Sequence, residues 1–316
     1  MAAGVRRGGI ADVVAMPLAD GGEGTLDALL EAVGGSRRTT TVTGPLGDPV
    51  AAEWAMLRGG VAVVEMARAS GLGLVEGRND PLRASSRGTG ELIAAAARSG
   101  ARRIIVGVGG SASTDGGLGA VDALAWSLPR VDVTVACDVT TPFLDAARVY
   151  GPQKGASNAQ IALLSRRLQR LAEEYESRTG VDVRAVDGGG AAGGLAGALA
   201  ALGATLEPGF DVVAGAAGLG DALEGAMLVV TGEGRLDSTS LVGKVVGGVL
   251  DWASEHEVAR RAVIAGQVTQ DARDALEERD VLVLALSDRV WEPSEAFTRA
   301  ALLVEEAALE VARTLP

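Results

Sequence analysis

The chain repeats one unit: a short run of β-forming apolar residues, a glycine-rich loop, then an Ala/Leu-rich stretch of helical character. "VVAMPL" (13–18) runs through "ADGGEG" into "TLDALLEAVGG". "ARRIIVGVGG" (101–110) runs through "SASTDGG" into "LGAVDALAW". "AMLVVTGEG" (226–234) precedes "KVVGGVLDWASEH", and "AVIAG" (262–266) and "VLVLALS" (281–287) follow with a helical stretch between them. Strands apolar at nearly every position are buried on both faces, and alternation with helices makes them parallel, so the rhythm specifies an α/β fold. With 316 residues there is chain enough for two domains. Aromatics are 3% of the chain against 47% hydrophobic residues, so Ala, Val and Leu must fill the cores. The 45 glycines fall in clusters between apolar runs, which marks tight turns and not a disordered tract.

One region breaks the rhythm. Within residues 39–75, "TTTVTGPLGDPVAAEWAML" has a turn-rich centre, and "RGGVAVVEMA" follows a Gly-Gly turn, which predicts antiparallel or mixed sheet. Leu recurs at helical spacing in "NAQIALLSRRLQRLAEEYESR" (158–178), a surface helix with one packed stripe, and 294–315 predicts another amphipathic helix. Pro208 in "LEPGFD" lies near a boundary. The expected layout is a discontinuous parallel-sheet domain, 1–35 with 206–316, carrying an inserted α/β domain of mixed sheet, 36–205. Ligands would then sit at strand C-termini facing an interdomain cleft.

Charge and rare residues narrow the function. A net charge of −12 argues against a nucleic-acid partner, although an acidic protein can still hold anionic metabolites on local Lys, Arg and helix N-termini. The single Cys excludes an intramolecular disulfide, and the single His excludes His-rich metal sites and weakens a Ser-His-Asp reading. There is no signal peptide and no apolar stretch long enough to cross a bilayer, so a cytoplasmic protein without a membrane partner is expected.

The loops carry the chemistry. "GVGGSASTDGG" (107–117) loosely fits G-x-G-x-x-A at Gly107, Gly109 and Ala112, the only support for an NAD-dependent dehydrogenase. It reads better as a nest of backbone N–H groups with Ser111, Ser113 and Thr114 hydroxyls and the Asp115 carboxylate, able to hold an anion. Cys137 and Asp138 end the strand "VDVTVA"; the Cys reads as a small buried residue, the Asp equally as a catalytic carboxylate or a turn cap. "YGPQKGA" (150–156) fixes Lys154 in a rigid turn. "DGGGAAGGLAGALAALGA" (187–204) is either a phosphate cradle or a place of close helix packing. "TGEGRLDSTSLVGK" (231–244) offers Glu233, Asp237 and Lys244, the metal ligands and cation that Mg²⁺-assisted phosphoryl transfer needs, without a Walker A or protein-kinase signature.

In order along the chain, "PLADGGEGT", "SSRGTGELI", "GVGGSASTDGGLGA", "ACDVTTPF", "YGPQKGA", "GGGAAGGLAGAL", "TGEGRLD…GK" and "IAG" closely resemble the class I glycerate kinase family. The resemblance runs from about Met16 to Arg289. It implies a two-domain fold, one domain Rossmann-like (flavodoxin-like) and one inserted. It also implies ATP-dependent phosphorylation of D-glycerate with Mg²⁺, usually at the 2-hydroxyl. The residues it brings forward for substrate and nucleotide are Asp20, Gly21, Gly22, Glu23, Gly109, Gly110, Ser111, Gln153, Gly189, Gly190 and Gly193. Those for catalysis are Asp115, Asp138, Lys154 and Lys244, and those for the metal are Glu233 and Asp237. Either Asp115 or Asp138 would accept the hydroxyl proton. The oligomeric state stays open, a homodimer included.

The sequence departs from the family pattern in three places. A strand and an "APDSFKG"-type loop expected upstream of "ADGGEGT" are not seen, and "MAAGVRRGG" reads as the tail of the helix that follows them. The connection between "ALAW" and "SLPRVDVTVACDV" is short. Thr239 and Val245 stand where the family usually has Gln and Pro. These departures keep a second reading beside the enzyme, a truncated or degenerate member without activity.

Overall fold

Three consecutive apolar runs, "VAVVE", "RIIVG" and "DVTVA", form the strands on which the larger half of the molecule is built. In the computed structural model, which describes residues 1–75 and 77–314, the chain divides into two compact units. One comprises Met1–Pro17 and Ala217–Pro316, the other Leu18–Ala216.

The unit 18–216 holds a six-stranded sheet in the order of the sequence: β1 (Gly35–Thr43), β2 (Pro49–Leu57), β3 (Val61–Glu65), β4 (Arg103–Gly107), β5 (Asp132–Ala136) and β6 (Thr205–Glu207). β1, β2 and β3 pair antiparallel; β3 to β6 pair parallel, so the sheet is mixed as expected. The antiparallel part follows from its turns, "GPLGD" between β1 and β2 and Gly59-Gly60 (φ 84° and 83°) between β2 and β3. Trp54 on β2 donates its indole N–H to the hydroxyl of Thr40, its diagonal neighbour on β1 (3.0 Å). The parallel strands are sealed by helices: Leu92 and Ile93 of Arg87–Arg98 and Leu195 and Leu199 of Ala191–Ala201 pack with Ile104, Val106, Val133 and Val135.

Helix Asn158–Thr179 appears where leucine spacing places it, closed at its start by a Ser157/Gln160 capping box and ended by Gly180 in the left-handed region. Its Leu164, Leu168 and Tyr175 bury against Phe143 in a second core, and the Tyr175 hydroxyl donates to Gly116 O (2.8 Å). Helix Thr25–Val33 packs on β2 and β3 through the fully buried Leu26 and Leu29, and so lies in this unit.

The other unit has a parallel three-stranded sheet of β7 (Leu228–Thr231), β9 (Arg260–Ala265) and β11 (Leu282–Ala285), with β9 central. A two-residue parallel pairing of β8 (Arg235–Leu236) with β10 (Gln267–Val268) holds the loops beyond β7 and β9 together. Helix Ala2–Arg7 packs along helix Ala300–Arg313.

Two expectations are corrected here. "VVAMPL" forms no strand: Val13 packs among Leu228 and Val230, Val14 is 66% exposed, and Val13 O accepts from the Arg6 guanidinium (3.1 Å) instead of a ladder. Pro17 removes a further donor from the run. The C-terminal stretch is two helices, Pro293–Thr298 and Ala300–Arg313, because Arg299 leaves helical geometry (φ −109°, ψ 13°); residues 315 and 316 lie outside the described part.

Candidate active site

Within the unit 18–216, two glycine-rich loops are pressed together. A Cβ at Gly107 would stand 2.6 Å from Gly21 O, and one at Gly110 would stand 2.5 Å from the Glu23 carboxylate. Only glycine lets these backbones approach so closely. Gly22 and Gly109 meet at the same crossing, while Glu23 and Gly110 are exposed on its outer side. The loop 107–115 is pinned further by Ala112 N–H donating to Ser70 O (3.0 Å) and by Leu72 N–H donating to Gly110 O (2.8 Å). Ser111 bridges to Gly71.

Asp115 is engaged on every side. Its carboxylate accepts from Ser86 N–H (2.8 Å), the Ser86 hydroxyl (2.9 Å), the Ser85 hydroxyl (3.4 Å), Gly117 N–H (3.1 Å) and Gly119 N–H (3.2 Å). It thus clamps the "SSRGTGELI" segment to the start of helix Leu118–Ala123. Few lone-pair directions are left for a substrate proton.

Lys154 is 2% exposed and donates its ammonium to Ser113 O (2.6 Å). Burial pushes its pKa down to about 8, against the opposing pull of the Asp115 charge. Asn79 reinforces the join, donating from Nδ2 to both Ala112 O (3.1 Å) and Lys154 O (3.0 Å). The neighbouring Gln153 is exposed.

Asp138, just past β5, accepts from Gly209 N–H (2.6 Å) at the first turn of helix Gly209–Ala217. Partial burial of the carboxylate lifts its pKa to about 6, offset by the Gly209 hydrogen bond and reinforced by the charges of Asp20 and Asp211; solvent at the open edge of the residue tempers the effect. Asp20 and Asp138 converge on Gly209, where a Cβ would stand 2.0 Å from Asp20 O and 2.7 Å from the Asp138 carboxylate.

Gly189, Gly190 and Gly193 are buried against protein backbone. A Cβ at Gly193 would strike Ser113 O at 2.2 Å, and one at Gly190 would strike Pro142 O at 2.4 Å. Of the two readings of this segment, close packing is the geometry found: it props the loop 107–115 from beneath.

In the other unit, Glu233 follows β7 and is held by Gly266 N–H donating to its carbonyl (3.1 Å). Its Oε1 is buried with no hydrogen-bond partner among the described residues. Asp237 caps the short 3₁₀ turn Ser238–Leu241, accepting from the Thr239 hydroxyl (2.6 Å) and Thr239 N–H (3.0 Å); the hydroxyl bond, foremost, keeps its pKa below the usual carboxylate range. Lys244 is exposed and donates to the same hydroxyl (3.2 Å).

Among the described residues no group of three or more His, Cys, Asp or Glu side chains is arranged as a metal cage. A buried carboxylate oxygen without a donor, beside Asp237 in sequence and an exposed Lys, instead suits an ion that arrives already held by phosphates, with one or two protein carboxylates completing its shell.

Sequence reading missed Glu65, Arg68, Ser85, Ser86 and Asn79. Their bonds join segments far apart in the chain, and the local signals are an acid ending the apolar run "VAVVE" and the serine pair opening "SSRGTGELI".

Comparison with known proteins identifies the family. The profile of the glycerate kinase family matches residues 1–130 and 125–316. The chain is 41% identical to glycerate 2-kinase of Escherichia coli K12, across 96% of this chain and 89% of that one. It is 37% identical to glycerate kinase of Bacillus subtilis 168 over the same shares. A crystal structure named for a glycerate kinase 2 from Salmonella typhimurium LT2 superposes with a TM-score of 0.84 at 36% identity, covering 99% of this chain and 91% of that one. The chain belongs to the glycerate kinase family, and with it to the kinases that transfer a phosphoryl group to an alcohol.

Proposed function

We propose that this protein transfers the γ-phosphoryl group of ATP to the 2-hydroxyl of D-glycerate, giving 2-phosphoglycerate and ADP. The observation that carries the reading is the meeting of the Asp20 backbone carbonyl and the Asp138 carboxylate at Gly209, beside the crossing of the loops 20–24 and 107–115. D-Glycerate is a small anion with two hydroxyls. Its carboxylate needs backbone N–H groups, which the exposed Glu23 and Gly110 offer, with the Ser111 hydroxyl beside them.

Asp138 is the residue assigned to the reacting hydroxyl. With a pKa raised to about 6, it is ionised at neutral pH yet basic enough to take a proton as O2 attacks phosphorus. The bond to the ADP oxygen breaks in the same transfer. Asp115 acts by holding its loop, and Lys154 by bracing the Ser113 carbonyl. Glu233 and Asp237 would hold Mg²⁺, and Lys244 would meet the nucleotide phosphates. Mg²⁺, when bound, neutralises charge on the β- and γ-phosphates.

The test is an ADP-release assay with D-glycerate, with the product read by ³¹P NMR. Coupling of phosphorus to one proton marks the 2-phosphate, and coupling to two marks the 3-phosphate. Asp138→Asn is expected to lower kcat by about 10²–10⁴-fold. The wild-type rate should climb through pH 6, where Asp138 loses its proton, and that limb should vanish in the variant. Wild-type turnover in Asp138→Asn would remove it from the mechanism, and no ADP release with D-glycerate would sink the substrate.

A further inference from the structure

Glu65 ends β3 with 3% of its surface exposed, and the proposed chemistry makes no use of it. Its carboxylate is shared between two donors: Oε1 accepts from Leu26 N–H (2.8 Å) and Oε2 from the Arg68 guanidinium (2.6 Å). The first of these bonds completes a helix that cannot cap itself. Helix Thr25–Val33 starts on Gly24 (φ 95°), which has no side chain to accept from the first turn. The acceptor comes from 39 residues away in sequence.

The same glutamate lies under the crossing of the two loops. It is the register partner of Gly107, whose carbonyl accepts from Met66 N–H (2.9 Å) and whose Cα packs on Gly21 O. Arg68 is committed to carboxylates, binding Glu65, Glu53 (2.7 Å) and Asp27 (3.1 Å). It holds Glu65 on aim and is not spare for a ligand anion.

We infer that Glu65 is a positioning residue for the acceptor substrate: through Leu26 N–H it fixes the loop 20–24 against the loop 107–111, and Arg68 fixes Glu65. This rests on the reading of the loop 20–24 as part of the D-glycerate site.

The full-length protein and the variants Glu65→Gln, Arg68→Met and the double variant test it, by amide hydrogen exchange across residues 21–26 and by initial rates with each substrate varied. Glutamine has one acceptor oxygen for two donors, so Glu65→Gln should speed exchange of the Gly22–Leu26 amides about tenfold. It should raise KM for D-glycerate about tenfold while KM for ATP stays within about twofold. Arg68→Met, which leaves the carboxylate without its partner, should do the same. In the double variant the single carbonyl oxygen serves Leu26 alone, and both readouts should return to within about threefold of wild type. Unchanged exchange at residues 21–26, or a lowered Tm with both KM values unchanged, overturns the inference in favour of a purely structural acid. If Glu65→Gln does not fold, Arg68→Met against the double variant makes the same comparison. If the wild type does not phosphorylate D-glycerate, the substrate reading fails, and the exchange data still decide whether Glu65 positions the loop.

Discussion

The parallel strands of the two larger sheets of this protein are built from similar sequences and are sealed very differently. β3, β4 and β5 are buried at every position after the first. In the smaller sheet only β9 has a sealed core; β7 and β11 are half-buried along most of their length, and Leu282 is 39% exposed. The polar residues follow the same division. Around β3–β5 the carboxylates of Glu65 and Asp115 and the ammonium of Lys154 are locked into bonds from distant segments. Beyond β7, Asp237, Thr239 and Lys244 satisfy one another within a few residues. One region is therefore tied together by bonds across the chain, and the other by bonds within a single loop.

The largest test of this contrast is a pair of core truncations. Ile105→Ala, at a fully buried position of β4, should cost about 3–4 kcal/mol, whereas Leu282→Ala in β11 should cost about 1 kcal/mol. Urea unfolding of both variants measures the difference, and equal losses would erase the distinction between the sheets.

Next in size is Asp115→Asn. The amide places an NH₂ where Gly117 N–H now finds an acceptor, so a loss of about 2 kcal/mol is expected, with turnover reduced alongside it. If the variant keeps wild-type stability and loses only turnover, Asp115 is a proton acceptor after all and not a clamp.

These cases show what the sequence could and could not reveal. Continuous apolar runs announced β4, β5, β7, β9 and β11, because burial on both faces needs no partner to be recognised. The same rule misread residues 13–18, since whether an apolar run becomes a strand depends on a neighbouring edge that no local pattern encodes. The loops were legible because glycine clusters and acids stand side by side. The roles were not: Asp115 and Ser86 meet across 29 residues, and Glu65 and Leu26 across 39. Those long-range bonds decide that Asp115 is saturated while Asp138 keeps an open edge.

Lys154 offers a pH-dependent version of the comparison. Its pKa is lowered from 10.5 to about 8 by burial, so between those values the unfolded chain binds more protons than the folded one. Stability must therefore rise with pH across that window, and below pH 8 the buried charge opposes folding. Lys154→Met removes this slope, so the wild type should gain on the variant from pH 8 to pH 10 in parallel urea titrations. A constant difference would mean that water reaches the ammonium.

The smallest effect belongs to the other unit. Arg7 and Glu305 form an ion pair of 2.6 Å, but their side chains are 56% and 33% exposed. Water screens such a pair and both side chains lose rotamer freedom to make it, so a double-mutant cycle with Arg7→Ala and Glu305→Ala should give a coupling of about 0.5 kcal/mol or less. The geometry is as short as that of Arg68 with Glu65, also 2.6 Å, where the carboxylate is 4% exposed. The buried pair should show the larger coupling in the matching cycle, because removing Arg68 strands the Glu65 carboxylate, which is only 4% exposed. Equal couplings would mean that length sets the strength of these bonds; unequal ones would mean that burial does, and that the same contact is structural in one unit and dispensable in the other.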